Sequence, residues 1–167
     1  AIKNIERARE LDPISLVINR NAALVYCHAR QYDRAMEVLK KTLELDPDFS
    51  MTHATLGRVY MQMSDNEEAL KEFQKEKEIG GHSLPLVDML MGLAYENLGM
   101  RDKTQEILDD LLEKSKEMYI PPLLPANLHF ALGNKDEGYE WLERGYEERD
   151  ATVLEIKVEP GFDCVRS

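Results

Sequence analysis

The histidines and cysteines are the side chains best suited to metal or nucleophile chemistry, and their spacing argues against both. No two of the four histidines, His28, His53, His82 and His129, have the i, i+4 spacing with which a helix holds a metal ion. Cys27 and His28 are adjacent, but neighbouring side chains on a helix point about 100° apart. The sequence therefore predicts no metal site, no cofactor and no Cys–His nucleophile.

Paired carboxylates are the remaining candidates for acid–base catalysis. Asp109-Asp110 and Glu147-Glu148 are adjacent in sequence, so on helices they point in different directions and make poor acid–base pairs. The chain also has no glycine-rich phosphate loop and no GxSxG nucleophile motif. We therefore expect no catalytic residue and no enzyme activity.

The elements that carry these residues repeat along the chain with a period of about 34 residues. An Asp-Pro pair, a tyrosine and an alanine each return after one period. The repeated residues are Asp12-Pro13 and Asp46-Pro47, Tyr26 and Tyr60, Ala35 and Ala69, and, with one extra residue, Gly57 and Gly92, Tyr60 and Tyr95. The small side chains suit places where two antiparallel helices approach closely. The pattern predicts an array of helix pairs.

Composition supports helices and narrows the choice of partners. Hydrophobic residues make up 43 % of the 167 residues, enough for a core, and helix-favouring residue types dominate. The formal net charge of −11 disfavours nucleic acid and anionic membranes as partners. The two cysteines match no metal or disulfide framework, no apolar run is long enough to span a bilayer, and no signal peptide is visible. We therefore expect a cytoplasmic protein.

The repeat pattern divides residues 1–167 into the segments of one domain. We expect the chain to begin with the second helix of a truncated repeat, so that at least one helix lies upstream. The expected segments are 1–14 for that helix, 15–47, 48–82 and 83–118 for three repeats, 119–150 for a degenerate repeat, and 151–167 for a C-terminal cap. Gly99 and Gly133 are expected to end helices in the left-handed conformation.

Three local features add expectations about helix ends and packing. Asp65 with Glu68, and Asn134 with Glu137, have the spacing of a capping box at the start of a helix. Glu76 stands where a small residue is usual, so we expect looser or differently angled packing around it.

Leu56-Gly57, Tyr60, Ala69 and Phe73 resemble the tetratricopeptide repeat (TPR) consensus, and the resemblance extends over most of the chain. It implies an all-α fold of the TPR type, a right-handed superhelix that is an α-solenoid of antiparallel helix pairs. In that family the first helices of the repeats line a concave groove that binds peptides or protein segments. The C-terminal end also looks like that of TPR arrays in prokaryotic signalling proteins.

The residues expected to face this groove follow from helical spacing, because residues at i, i+3 or i+4 and i+7 share one face. They are Val17, Arg20, Leu24 and His28 in the first complete repeat, Met51, Arg58 and Met61 in the second, Met89, Leu93 and Asn97 in the third, and Asn127 and Phe130 in the last. Stacked repeats would align them in rows that are mostly apolar and carry methionine, which adapts to irregular apolar surfaces. Arg20 and Arg58 would hold a carboxylate or a backbone carbonyl at one end.

We expect a non-catalytic scaffold that binds a protein or peptide partner in this groove, as part of a larger protein. Three alternatives stay open. In the first, the chain is a regulatory or sensor module whose groove binds a small ligand or a segment of the chain itself and so controls a fused signalling effector. In the second, neighbouring repeats, repeats upstream of residue 1 or a second copy of the chain in a homodimer cover the apolar row. In the third, the chain is an enzyme, which would need a polar cluster that the residue spacing does not show. Binding of a chaperone tail is not expected, because Leu24, Met51 and Thr55 stand where the Lys and Asn residues of a carboxylate clamp would be needed.

Overall fold

Helices make up the secondary structure of the computed structural model, which describes residues 1–80 and 84–152. The chain divides into two compact units, residues 1–82 and residues 83–167. The first unit contains α1 (Ile2–Leu11), α2 (Leu16–His28), α3 (Tyr32–Leu45), α4 (Thr52–Gln62) and α5 (Asn66–Gly80). The second unit contains α6 (Pro85–Asn97), α7 (Arg101–Lys114), α8 (Leu123–Ala131) and α9 (Lys135–Glu147). The predicted all-α fold of paired helices is confirmed.

Small residues bring the helices of the first unit close together. In this unit α2 packs on α3, α4 packs on α5, and α1 and α4 also pack on α2. Ala23, Ala35 and Tyr26 have no exposed surface at the crossing of α2 and α3. At the crossing of α4 and α5, a Cβ atom on Gly57 would lie 2.4 Å from Cε1 of Phe73. The phenylalanine ring therefore occupies the space that a side chain on Gly57 would need.

The second unit is organised around α8, on which α6, α7 and α9 pack. Residues 123–130 of this helix are all buried, as expected for a helix that is apolar on most of its faces. A Cβ on Gly92 would lie 2.7 Å from Cδ2 of Leu128, and a Cβ on Gly138 would lie 2.8 Å from Cε1 of Phe130. Side chains of α8 therefore occupy the space that a Cβ atom would need at a glycine of α6 and at a glycine of α9.

Most of the helix ends that were predicted from the sequence are found in the structure. Gly99 and Gly133 have φ angles of +72° and +81°, the predicted left-handed conformation. The backbone N–H of Glu68 donates to Oδ1 of Asp65 at 3.3 Å, so the predicted cap at α5 forms. The predicted cap at α9 does not, because the side chain of Asn134 accepts no capping hydrogen bond.

Glu76 is buried between α4 and α5, and the expectation of looser or differently angled packing around it stays a prediction. Glu76 is 1 % exposed, and its carboxylate accepts hydrogen bonds from the backbone N–H groups of Met51 at 2.7 Å and Ala54 at 3.2 Å. These donors lie at the start of α4, where backbone N–H groups have no partner within the helix. Glu76 of α5 therefore caps α4, and the negative charge suits the positive end of the helix dipole.

The C-terminal cap expected at 151–167 lies almost wholly outside the described residues, as does most of the segment that resembles signalling proteins. The repeat boundaries themselves stay predictions. Among the described helices, none combines the length and the apolar character needed to cross a bilayer.

Candidate functional site

One face of α2 in the first unit is left accessible by the helices that pack on it. Val17 is 50 % exposed, His28 is exposed, and Leu24 is half-buried. Ala23 and Tyr26, on the opposite side of the helix, are fully buried. The accessible residues share a face because they are spaced by seven and four positions. They are three of the four residues of α2 that were expected to face the groove, the fourth being Arg20.

The corresponding residues at the start of α4 and within it are also partly accessible. Met51, Arg58 and Met61 are each half-buried, and α4 is in contact with α2. Ala54 and Thr55 between them are buried, at 1 % and 4 % exposure. We call the set Val17, Leu24, His28, Arg58 and Met61 the α2–α4 surface. It combines apolar side chains with one arginine and one histidine.

Arg20 is bound within the protein. Its Nη1 donates to the backbone carbonyl of Ser50 at 3.1 Å, and its guanidinium carbon lies 5.9 Å from the ring centroid of Phe49. Arg20 therefore links α2 to the connection between α3 and α4. Its expected role in holding a partner stays a prediction.

The residues of the second unit that were expected in the groove differ widely in exposure. Met89, Asn127 and Phe130 are 4 %, 1 % and 6 % exposed. Leu93 is half-buried and Asn97 is exposed. A charge introduced at Met89 would therefore disturb the core. Whether these five residues contact a partner stays a prediction.

Two polar groups of α8 are buried without a hydrogen-bond partner among the described residues. Nδ2 of Asn127 donates to the carbonyl of Leu123 at 3.0 Å, but its Oδ1 accepts from no described donor. His129 is 8 % exposed, and its Nδ1 has no partner within residues 1–80 and 84–152. Burial lowers the pKa of the His129 imidazole, and the nearby charges of Glu137 and Glu140 oppose this shift without cancelling it.

A second candidate surface depends on residues that the sequence analysis did not select. Seven positions before each of the repeated tyrosines Tyr26, Tyr60 and Tyr95 the chain carries a polar residue. These residues are Asn19, His53 and Asp88. Asn19 and Asp88 are each 4 % exposed, and the side chain of His53 is 13 % exposed. Polar groups buried to this degree require partners.

Each of these polar residues contacts a polar side chain of another helix. Oδ1 of Asn19 accepts a hydrogen bond from Nε of Arg9 at 2.9 Å. Nδ1 of His53 lies 2.6 Å from Oε2 of Glu72. Oδ2 of Asp88 lies 3.5 Å from Nζ of Lys114.

Beside the first two of these contacts lie two clefts of the first unit. The first cleft measures about 350 Å³ and the second about 550 Å³. They share five positions one repeat apart: Pro13, Asn19, Lys41, Glu44 and Leu45 in the first, and Pro47, His53, Lys75, Glu78 and Ile79 in the second. Arg9 and Val38 complete the first cleft, and Asp48 completes the second. The clefts are therefore equivalent places in successive helix pairs with different chemistry.

Models of the tetratricopeptide repeat match this chain at residues 28–93 and 87–116. Together the matches run over more than half of the 167 residues. The chain belongs to the tetratricopeptide repeat family. In the family pattern, tryptophan stands seven positions before the repeated tyrosine. Asn19, His53 and Asp88 each replace that tryptophan, a signal that was readable in the sequence.

The curated relatives are much longer proteins, and the chain matches only a part of each. The chain is 28 % identical over 136 residues to the BBSome complex member BBS4 of Bos taurus, covering 81 % of this chain and 26 % of the relative. It is 30 % identical over 79 residues to the small glutamine-rich tetratricopeptide repeat-containing protein 2 of Mycosarcoma maydis, covering 47 % of this chain and 22 % of the relative. The chain therefore spans about a quarter of the length of the curated relatives it matches.

Solved structures support the fold. A tetratricopeptide repeat protein from Parabacteroides merdae aligns with a TM-score of 0.69 at 19 % identity, covering 94 % of this chain and 62 % of that one. MamA aligns with a TM-score of 0.57 at 17 % identity, covering 92 % of this chain and 89 % of that one. Helical-repeat proteins of this kind are scaffolds for protein–protein interaction.

Proposed function

We propose that this chain is a non-catalytic scaffold whose first unit binds a peptide or protein segment on the α2–α4 surface. The observation that supports the proposal is the accessibility of that surface. Val17 is 50 % exposed and His28 is exposed, while Leu24, Arg58 and Met61 are half-buried around them. Apolar side chains at the edge of a core, with polar groups beside them, are typical of surfaces that a partner covers.

The comparisons favour a role inside a larger assembly. BBS4 is named as a member of a complex, and this chain matches about a quarter of it. We propose by analogy that the chain is part of a longer, cytoplasmic protein that assembles with other proteins. The net charge of −11 makes nucleic acid and anionic membranes poor partners.

Site-specific crosslinking tests the proposal. A photoreactive benzoylphenylalanine replaces exposed His28 in one variant and exposed Lys40 of α3 in another. Both proteins are produced in the cells that make the chain, irradiated and examined for covalent adducts. We expect an adduct with a different protein from position 28 and none from position 40. Equal capture from both positions would contradict binding on the α2–α4 surface.

A charge-bearing double variant separates binding from misfolding. Val17→Glu with Met61→Glu places two carboxylates on the surface, and Lys40→Glu with Gln74→Glu places two on exposed positions of α3 and α5. We expect the first pair to abolish the adduct and the second pair to leave it, with unchanged helical circular dichroism in both.

Light scattering distinguishes the alternative of self-association. A parent dimer that Val17→Glu with Met61→Glu converts into a folded monomer would mean that a second copy covers the surface. The proposal of a separate partner would then be wrong.

A further inference from the structure

We propose that the first cleft, beside α1, α2 and α3, binds a carboxylate group carried on an apolar segment, with Arg9 as the anchoring residue. This site is separate from the α2–α4 surface and does not depend on its function. An arginine side chain keeps its charge at any physiological pH. Arg9 is half-buried, yet no carboxylate among the described residues lies within ion-pair distance of it. Partly buried charges of this kind favour an oppositely charged partner.

Arg9 and Arg34 both donate a hydrogen bond to the hydroxyl of Tyr26, but they differ in whether a carboxylate pairs with them. Nη1 of Arg9 donates to the Tyr26 hydroxyl at 3.3 Å, and Nη2 of Arg34 donates to it at 3.1 Å. Arg34 also pairs with the carboxylate of Glu6 at 2.5 Å. Arg9 has only neutral acceptors, the Tyr26 hydroxyl and the Asn19 carbonyl, and its Nη2 donates to no described acceptor. Arg34 therefore has a carboxylate at ion-pair distance, whereas Arg9 has none among the described residues. The pKa of Glu37 is lowered chiefly by its hydrogen bond with Lys41 and, to a smaller extent, by the charge of Arg9, so Arg9 acts on that carboxylate only at longer range.

The guanidinium of Arg9 is held in place before any ligand arrives. Tyr26 is fully buried and Asn19 is 4 % exposed. Asn19 is itself fixed, because its Nδ2 donates to the carbonyl of Pro13 at 2.9 Å. A ligand would thus lose little affinity to ordering of the arginine, which is the advantage of a preorganised site. The planar guanidinium also suits the geometry of a carboxylate.

The walls of the first cleft define the rest of the ligand. Pro13, Val38 and Leu45 are apolar, and Leu45 is 59 % exposed. The other charged residues of the lining are Lys41, which already pairs with Glu37 at 2.7 Å, and Glu44. Arg9 is therefore the cation that remains for a ligand. A carboxylate next to an aliphatic side chain satisfies both features. It can belong to the C-terminal residue of a peptide or to a glutamate flanked by leucines.

The charge distribution of the chain is compatible with an anionic ligand here. Residues 1–80 carry 12 Lys and Arg and 14 Asp and Glu, a formal charge of −2. Residues 84–152 carry 7 Lys and Arg and 15 Asp and Glu, a formal charge of −8. The first unit therefore repels a carboxylate far less than the second unit does.

The second cleft lacks the anchoring residue. One repeat after Arg9 the chain has Leu43, and one repeat after Val38 it has Glu72. Glu72 already pairs with His53 at 2.6 Å and with Lys75 at 2.7 Å. We therefore expect carboxylate binding in the first cleft and none in the second.

Titration by nuclear magnetic resonance tests the site on the whole chain. The probes are a blocked tetrapeptide that ends in two leucines with a free C-terminal carboxylate, the same peptide amidated, and an amidated tetrapeptide with one glutamate between leucines. We expect saturable shifts of the Arg9 Nε–H signal and of backbone amides around Pro13 and Leu45 with a carboxylate probe, and no saturation with the amidated control. Shifts with the first probe alone assign a peptide terminus, and shifts with the third alone assign a side-chain carboxylate. No saturation with either, or equal shifts with the amidated control, would overturn the proposal.

Two arginine variants supply the matched control. Arg9→Leu installs the residue that stands one repeat later in the chain, at Leu43. Arg7→Leu makes the same change at an arginine of α1 whose side chain is 68 % exposed and pairs with Glu10. We expect Arg9→Leu to weaken binding by about tenfold or more, and Arg7→Leu to change it by less than about twofold. Circular dichroism identifies a variant that has not folded, and Arg9→Lys then takes its place, because it keeps the charge but loses the planar geometry. Equal loss of binding in the Arg7 and Arg9 variants would mean that only the net charge matters, and the site would be rejected.

Discussion

The helix pairs α2–α3 and α4–α5 occupy equivalent positions in the first unit and solve the same packing problem with different residues. In the first pair, Ala23 and Leu39 are both fully buried. In the second pair, the equivalent residues are Gly57 and Phe73, and the ring fills the place of the missing Cβ. A smaller residue on one helix is thus matched by a larger one on the other. What the repeat preserves is the combined volume at the crossing and not the individual residues.

The two pairs also differ in how they treat polar groups. Thr42 in the first pair is buried and donates to the carbonyl of Val38 in its own helix at 2.9 Å. Its equivalent, Glu76, accepts from two backbone N–H groups of the neighbouring helix. The side chain at this position therefore makes its hydrogen bond within its own helix in the first pair, and makes hydrogen bonds to the other helix in the second pair.

The largest effect is expected when the volume match is broken. Gly57→Ala places a Cβ 2.4 Å from the ring of Phe73, and we expect it to lower the free energy of unfolding by about 2–3 kcal/mol. Gly57→Ala with Phe73→Leu recreates the first pair's combination and should recover a large part of that loss. Urea unfolding followed by circular dichroism measures both. A double variant no more stable than Gly57→Ala would show that volume matching does not explain the difference between the pairs.

Removing the inter-helix cap should rank next. Glu76→Ala leaves two backbone N–H groups at the start of α4 without an acceptor, and we expect a loss of roughly 2 kcal/mol. Thr42→Ala removes a bond within one helix and should cost about 1 kcal/mol or less. Exposed Glu78→Ala is the control and should be near zero. The comparison fails if the Thr42 variant is the less stable one in the same urea assay.

Acid should destabilise the protein through the buried His129. Burial lowers the pKa of His129 below its unfolded value of 6.5, so the folded state resists protonation. Its contribution to stability is complete above pH 6.5 and is lost as the pH falls from 6.5 towards the lowered value. The loss is about 1.4 kcal/mol for each unit of the shift. We expect His129→Leu to remove this pH dependence, while His28→Leu, at an exposed position, leaves it. Thermal unfolding of the parent and of both variants between pH 7.5 and 5 measures this dependence. If the melting temperature falls equally steeply with pH in the parent and in His129→Leu, the expectation is wrong.

The smallest expected difference concerns Lys41 and Lys75, which stand at equivalent positions in the two clefts. Lys41 pairs at 2.7 Å with Glu37, whose side chain is 63 % exposed, whereas Lys75 pairs at 2.7 Å with Glu72, whose side chain is 8 % exposed. Exposed pairs contribute little, so Lys41→Ala should cost less than about 0.5 kcal/mol. Lys75→Ala removes a partner of a buried carboxylate and should cost about 1 kcal/mol. Equal costs in urea unfolding would mean that the burial of Glu72 does not strengthen its pair.

Periodicity predicted the fold because tight helix crossings constrain residue size. Ala23, Ala35 and Gly57 could be located from spacing alone, and each lies at a close contact. Helix ends were less certain, because Asp65 caps its helix while Asn134, with the same spacing to a glutamate, does not. A capping motif permits the hydrogen bond but does not fix the backbone that makes it.

The candidate sites were harder to predict, because exposure depends on which helices cover a face. Val17 and His28 are accessible as helical spacing suggested, but Phe130 and Asn127 are buried in the second unit. The role of Arg9 could not be inferred from spacing, because it depends on Asn19 and Tyr26 of another helix. The polar residue in the place of the family's tryptophan was the available signal for it.

The cap formed by Glu76 links the start of α4 to a carboxylate 25 residues later in the chain. The first turn of α4 therefore cannot be completed until α5 has docked, and the two helices should open and close as one cooperative unit. The backbone amides of Met51 and Ala54 should consequently exchange their hydrogens with solvent at a rate set by the undocking of α5, and not by fraying of their own helix end.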